Sequence, residues 1–452
     1  MPIESTSSCR PSTVPAATTL QACATGWHSA AGVLPAGWRV QVLSGVGGKQ
    51  PAAIVLRTPH WLLLLDAGAS LSPDPTSPCE AWVQALEAML DAAQPLDAMV
   101  FSHDHVDHIG AQSQLPVQIP RYATPAVMAQ LPPACQVRAL PLCGVTRLSK
   151  PGAPVLELRT GANGHSVGGV WIHLSDPALP EASVWYSGDI SLESSVLRVD
   201  LPPPAALALV DASYGLYDHS LSQGQAALAP YVQQPLVLPV PPSGRLLEMM
   251  LWLQSAQVPI LLDSTCRCFV AQALHLPAEQ WVPGAQARLH RLWQQAQASW
   301  GDSAVRSALH AAQSAAGPAQ RSPVLFIADP GPDGRPSPLM AGVLADATRR
   351  HAVVYTGYCP HAPEDGSWYR GPRNVQQLRW NVHPRRRDLA ALLSLLQPRD
   401  WCPLFTAHTA QQLVPGFQPA GSLALHGPRV HPVIEMPLPQ APAEAWEVVH
   451  AR

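Results

Sequence analysis

The sequence predicts an α/β protein in two units, the second inserted into the first. Two observations carry this expectation. Apolar runs of strand length stop repeatedly at an acid, as in Leu62-Leu63-Leu64-Leu65-Asp66 and Val184-Trp185-Tyr186-Ser187-Gly188-Asp189, and read as strands delivering polar groups at their ends. More than two hundred residues then separate Asp189 from the next comparable position, His408. Loops beyond about 15 residues are uncommon inside one compact unit, so a second domain must fill that gap.

Residues 1–37 carry Ser, Thr and Pro without a basic segment leading into an apolar core. A flexible lead-in without a signal peptide is expected there. The first unit begins near residue 38 and runs to 205. Within it Trp61-Leu62-Leu63-Leu64-Leu65 ends at Asp66, and Ala98-Met99-Val100-Phe101 reads as a buried strand.

Directly after that strand, positions 103–108 hold three imidazoles and two carboxylates: His103, Asp104, His105, Asp107 and His108. His103 and His105, two apart, would leave the strand end on one side, while Asp107 and His108 would open a helix. That arrangement can divide ligands between two adjacent metals. The bland alternative is a polar loop with surface histidines, but four potential ligands at this spacing favour a metal site.

Further ligands follow along the chain. His165 sits in Gly164-His165-Ser166-Val167-Gly168-Gly169, where glycines let backbone pass close to a metal. Asp189 and His408 each follow apolar runs. Singly, such residues are more often ordinary polar groups at strand ends; with the first motif they make a ligand set. Asp66 reads equally as a strand-end cap and as an acid that orients a ligand histidine.

The gap itself alternates strand and helix. Pro235–Val240, a helix over Leu246–Gln254, Val258–Asp263, a helical Gln/Ala-rich middle, Val324–Asp329, a helix near Met340–Arg349 and Ala352–Gly357 follow in turn. Repeated strand-helix-strand implies a parallel sheet with covering helices. The expected boundaries are 206–375 for the insert and 376–452 for the return to the first unit.

His103-x-His105-x-Asp107-His108 resembles the signature of the metallo-β-lactamase superfamily, with His165, Asp189 and His408 following in the family's order. Further motifs narrow the resemblance to its β-CASP branch of nucleases, over roughly residues 38–430. Asp211-Ala212-Ser213-Tyr214-Gly215 is similar to the branch's first extra motif. Gly244-Arg245 followed by Glu248 resembles a helix-opening segment of its inserted domain, and Leu262-Asp263-Ser264 and Tyr355-Thr356-Gly357-Tyr358 resemble further landmarks there. Asn381-Val382-His383-Pro384, heading a helix through Leu396, resembles the second motif and His408 the third. The resemblance implies an αββα sandwich carrying an inserted α/β parallel-sheet domain. It also implies two Zn2+ ions, with Mn2+ tolerable, held by His103, His105, Asp107, His108, His165, Asp189 and His408, with Asp189 bridging and Asp66 supporting the ligands. After Tyr358 the chain departs from the branch: Cys359 to Trp368 stand where a short Gly-Thr loop is common.

The function this implies is hydrolysis of single-stranded RNA by a metal-bound hydroxide, in a cleft between the two units. The catalytic residues would be Asp107, Asp189, Asp211 and His383. Metals can supply the nucleophile and neutralise phosphate charge, and a histidine can protonate the leaving oxygen. His383, with Asp211 beside it, takes that role by resemblance. RNA-processing members resemble this chain in carrying His at the third motif, where DNA-processing members carry an aliphatic residue. Arg245, Arg385 and Arg386 are substrate-contact candidates, with a solvated basic turn an even alternative for the last two.

Composition sets limits on these readings. With 47% apolar and 13% charged residues the chain is globular, and 452 residues suit two domains. The net charge of −3, with only Lys49 and Lys150 against 26 arginines, lacks the basic surplus usual for nucleic-acid proteins. Arginine in a locally basic cleft answers part of that objection. Nine scattered cysteines, an odd number, favour reduced thiols and a cytoplasmic protein. No apolar run approaches the ~18 residues that span a bilayer, and the compact plan is compatible with a homodimer. Other readings stay open: a DNA nuclease, an ester or thioester hydrolase of the same superfamily, or a non-catalytic scaffold.

Overall fold

The computed structural model describes residues 27–30, 32–71, 79–90, 95–132, 135–314, 322–329, 336–346, 350–357 and 375–418. Three sheets organise them. The first contains β1 (Trp27–His28), β2 (Arg39–Ser44), β3 (Ala53–Arg57), β4 (Leu62–Leu65), β5 (Ala98–Val100), β6 (Arg121–Ala123) and β7 (Val137–Ala139), hydrogen-bonded in that order. β1 to β4 run antiparallel, and β4 to β7 parallel. Helices α1 (Ala81–Met89), α2 (Val106–Ile109) and α3 (Pro125–Met128) lie in its connections.

The second sheet starts as an antiparallel meander of β8 (Gly144–Leu148), β9 (Leu156–Ala162), β10 (Val170–Asp176) and β11 (Leu179–Tyr186). β12 (Leu207–Asp211) joins it parallel to β11. The chain then leaves. It forms α4 (Leu221–Leu228), β13 (Leu236–Val240), α5 (Arg245–Ser255), β14 (Ile260–Leu262), α6 (Ser264–Ala273), α7 (Ala285–Ala296), α8 (Asp302–Ser314), β15 (Val324–Ala328), α9 (Pro338–Ala345), β16 (Ala352–Tyr355) and β17 (Val375–Gln377). The third sheet is wholly parallel, in the order β14-β15-β13-β16-β17. After α10 (Arg386–Leu396), β18 (Asp400–Leu404) returns to pair with β12, and α11 (Ala410–Leu413) follows.

Alternating side chains decide how these layers pack. In β4, Leu63 and Leu65 enter one core with residues of the second sheet, while Leu62 and Leu64 enter another with Trp82, Val83 and Leu86 of α1. In β12, Leu207 and Leu209 face the first sheet, and Ala208 and Val210 face Leu389, Leu392, Leu393 and Leu396 of α10. Two sheets therefore pack together with helices outside, and strands buried on both faces read as continuous apolar runs. Each fully buried leucine contributes roughly 2 kcal/mol. The third sheet is likewise covered on both faces: Leu236, Leu238 and Val240 pack with α5, α6 and α7, and Val237 with Val305 of α8 and Met340 of α9.

Several expected limits move. β12 belongs to the second sheet, so residues 206–211 fall outside the insert, because Leu207–Asp211 pairs with both β11 and β18. β17 carries the insert's sheet to Gln377, past the expected limit at 375. The lead-in expected to reach residue 37 is packed from β1 onward, with Leu34 in the core. The expected helix near 340–349 is α9, which ends at Ala345. Residues 1–26, the remainder of that helix at 347–349, Tyr358 and the Cys359–Trp368 segment lie outside the described residues.

Candidate metal centre

The His-rich motif is fixed in place by the loop leaving β4 and by Ala52, just before β3. Ala52 N donates to Asp107 O (2.8 Å), Ala67 N to His108 O (2.7 Å) and Ala69 N to Val106 O (2.9 Å). Gly68 sits so close that a Cβ there would lie 1.9 Å from Asp107 O, which admits only glycine. Asp66, in the left-handed region at φ 56°, turns its fully buried carboxylate inward. Ser102 N (2.7 Å) and Ser102 Oγ (2.6 Å) donate to it. Tyr186 Oη donates at 2.6 Å, and His108 Nδ1 lies 2.7 Å away.

Four donors then converge: His103, His105, His165 and Asp189, whose ligating atoms lie within 4.8 Å of one another. His105 Nδ1 is 3.1 Å from both His103 Nε2 and His165 Nε2. Asp189 Oδ2 is 3.9 Å from the first and 3.6 Å from the second of those Nε2 atoms. A tetrahedral ion with bonds near 2.0–2.1 Å has ligand edges of about 3.3 Å, so the donor set fits one such ion. The far ring nitrogens are held: His165 Nδ1 donates to Val382 O (2.6 Å), and His105 Nε2 meets Ser243 O (3.4 Å). Burial pushes the His103 and His165 imidazoles well below their ordinary range, and His105 downward too. Neutral imidazoles keep the lone pairs that metal ligation requires.

Asp189 also belongs to two neighbouring groups. One is Asp107, His108 and Asp189; there His108 Nε2 and Asp189 Oδ1 face each other at 3.3 Å, and both are buried without a hydrogen-bond partner among the described residues. Burial alone would lower His108, but Asp189 and Asp66 on its two sides outweigh this and push it up to about 10. Burial would likewise raise Asp189, yet Lys49, His108 and His383 hold it well below the carboxylate range. The other group is Asp189, Asp211 and His383. His383 Nδ1 lies 2.7 Å from Asp211 Oδ2 and 3.7 Å from Asp189 Oδ2. Asp211 is fully buried and also accepts from Ile190 N and from Ser213 N and Oγ.

The remaining expected residues part company. His408 belongs to none of these groups; its ring lies against Gly215, where a Cβ would come within 2.5 Å of it. Arg385 is taken up by its own protein, with Nε and Nη2 donating to Asp388 and Nη1 3.1 Å from Glu193. Arg386 Nε donates to Leu413 O. Arg245 is nine-tenths buried beside Gly357, with no hydrogen bond to its guanidinium among the described residues. Burial lowers it, opposed by Tyr214 and Asp189.

Sequence reasoning missed four residues here. Tyr186 escaped as one more apolar strand residue, although its two-residue spacing from Val184 places it inward. Lys49 Nζ stands 3.1 Å from Asp107 Oδ2 and 3.7 Å from Asp189 Oδ2, far from either in sequence. Arg379 lies over the Tyr214 and Tyr217 rings, at 4.5 and 4.8 Å. Glu248, noted only as part of a motif, joins the two units: it accepts from Ser194 Oγ, from Ser195 N (3.1 Å) and from Trp380 Nε1 (3.0 Å). The turn before α5 completes the contact, with Ser243 Oγ donating to Asp104 Oδ1 and Gly244, φ 92°, set against the His165 carbonyl.

Fold and site thus define a mixed α/β protein with a buried His/Asp cluster able to hold a metal ion. No protein-family model matches the chain, and no curated protein matches it. Among solved structures, it is similar to a protein of unknown function from Enterococcus faecalis V583, at TM-score 0.49 and 10% identity, over 82% of this chain and 94% of that one. No helix among the described residues is long and apolar enough to cross a membrane. Cys135, Cys143, Cys266, Cys268 and Cys402 are free thiols.

Proposed function

We propose that this chain is a metal-dependent phosphodiesterase of the metallo-β-lactamase superfamily, β-CASP branch, acting on single-stranded RNA. The observation that carries the reading is the position of His383: an imidazole tied to the buried acid Asp211 stands 3.7 Å from Asp189, itself one of the four converging donors. A metal site with a proton carrier at its edge suits cleavage of a phosphodiester, whose leaving oxygen needs a proton. Two sheets packed together with helices outside, and a parallel-sheet unit inserted between β12 and β18, support the family reading.

A metal ion held by His103, His105, His165 and Asp189 would supply Lewis acidity, activating water and neutralising phosphate charge. The chain's own groups do the rest. Asp211 accepts from His383 Nδ1, which leaves Nε2 to hand its proton to the leaving oxygen. Arg245, whose guanidinium makes no hydrogen bond among the described residues, and Arg379, stacked on two tyrosines, can meet phosphate and base. Arg385 is engaged by Asp388 and Glu193, and Arg387 by Asp218, so they are left out of the substrate contacts, whereas Arg386 uses only Nε, on Leu413 O, among the described residues and stays a candidate.

Single-stranded DNA is the second reading, because the choice of RNA rests on the identity of His408 by resemblance, and His408 lies outside the metal groups. One gel decides between them. Labelled single-stranded RNA and DNA of equal length are incubated with wild type, Asp189→Ala, His383→Ala and chelator-treated protein. RNA cleavage by wild type alone is the expected result. Faster DNA cleavage selects the second reading, and cleavage that survives Asp189→Ala and chelation refutes both.

A further inference from the structure

Lys49 lies in the turn Gly45-Val46-Gly47-Gly48-Lys49 between β2 and β3. That turn is fastened to the residues after β18: Phe405 N donates to Gly45 O (2.6 Å) and Gly47 N to Thr406 O (3.1 Å). Phe405 itself sits in the left-handed region at φ 61°, uncommon for a bulky side chain. Its ring lies 4.8 Å from the Lys49 ammonium and packs edge-on against His108. Lys49 is therefore presented by a pinned turn over an aromatic support, with only a third of its side chain exposed. Its ammonium reaches Asp107 Oδ2 and Asp189 Oδ2, two of the three donors in the Asp107, His108 and Asp189 group. His408, the remaining expected ligand, is not a member of that group.

We infer that Lys49 is a built-in cation at the Asp107/Asp189 position, so that the centre takes one metal ion, at His103, His105, His165 and Asp189, where the family resemblance implies two. The inference rests on the metal-hydrolase reading above. The closer contact of Lys49, at 3.1 Å, is to Asp107 Oδ2, the carboxylate that the three-histidine site does not use; a dication bound to that oxygen and the ammonium repel each other, so a second ion enters only by expelling Lys49. In catalysis a fixed ammonium offers phosphate the charge neutralisation of a second ion without offering a second water to activate. A compact ammonium also suits a gap between two carboxylates better than a planar guanidinium, and this chain, with 26 arginines, places one of its two lysines here.

Metal stoichiometry tests this directly. The full chain is reconstituted with zinc, freed of excess, and counted by native mass spectrometry as wild type, as Lys49→Met and as Lys49→Met with Asp107→Asn. Methionine keeps an apolar stem on Phe405 while removing the charge. The expected counts are one, two and one ions per chain. Two ions on wild type overturn the inference and leave the metal-hydrolase reading standing. One ion on both wild type and Lys49→Met overturns Lys49 as the occupant. No ion on wild type overturns the inference together with the reading beneath it, and neither wild-type result depends on whether a variant folds.

Discussion

Replacing Tyr186 by Phe isolates the contribution of a single oxygen to the candidate metal centre. The ring is fully buried, and its hydroxyl donates to Asp66 Oδ2 at 2.6 Å. Phenylalanine keeps the ring's packing and removes only that donor. Asp66 retains Ser102 N, Ser102 Oγ and His108 Nδ1, so no buried group is left without a partner. The loss is then one hydrogen bond to a carboxylate, about 1.5–3 kcal/mol. Urea unfolding of the metal-free protein at pH 7 should show the midpoint falling with an unchanged slope. Because Asp66 also orients His108 and the Ser102 hydroxyl beside His103, zinc affinity should fall about tenfold or more in a competition titration. A stability loss below about 0.5 kcal/mol would refute the account of Asp66 as the buried acceptor that organises these residues.

Three further outcomes follow from the geometry. Gly68→Ala forces a methyl into the Asp107 carbonyl; the expected cost is on the order of 2–4 kcal/mol by thermal melts, and wild-type stability in the variant would contradict the contact. Zinc at a hundredfold excess over its dissociation constant should stabilise wild type by about 2.7 kcal/mol, reversed by chelator and absent in His165→Ala. His173, buried in β10 with Nε2 near Pro204 O, is held down to about 4 by burial. Its folded value lies below the unfolded one, so the unfolded chain takes up the proton first. Stability from this group is therefore full above pH 6.5 and falls between pH 6.5 and about 4, by up to about 3 kcal/mol. Urea melts at pH 7 and 4.5 should show a smaller fall in His173→Gln.

What could be read in advance divides along the range of the interactions. Four of the third sheet's five strands were legible because β13, β15 and β16 are buried throughout and β14 nearly so, and runs such as Leu236–Val240 and Val324–Ala328 carry that burial in their own composition; β17, three residues long and half-buried at Gln376 and Gln377, was not. His103, His105, Asp107 and His108 were legible because one strand end and one short helix bring them together locally. Asp189 and His165 could be placed by their apolar and glycine-rich surroundings. β12 was misassigned because membership of a sheet is a matter of partners: Leu207–Asp211 is equally apolar in either unit, and only its pairing with β18, nearly two hundred residues later, decides. The same limit explains the arginines. Arg385 looked free beside Arg386 and Arg387, but α10 brings Asp388 one turn away and the fold supplies Glu193, and both lie within 3.1 Å of the guanidinium. Lys49 is the extreme case, a lone lysine in a glycine turn whose neighbours, Asp107, Asp189 and Phe405, come from three distant segments. Candidate ligands can be picked out from spacing, whereas the charge that balances them is set by loops whose positions depend on the finished fold. That is why the count of ions at this centre, unlike the identity of its imidazoles, has to be argued from where Lys49 lies.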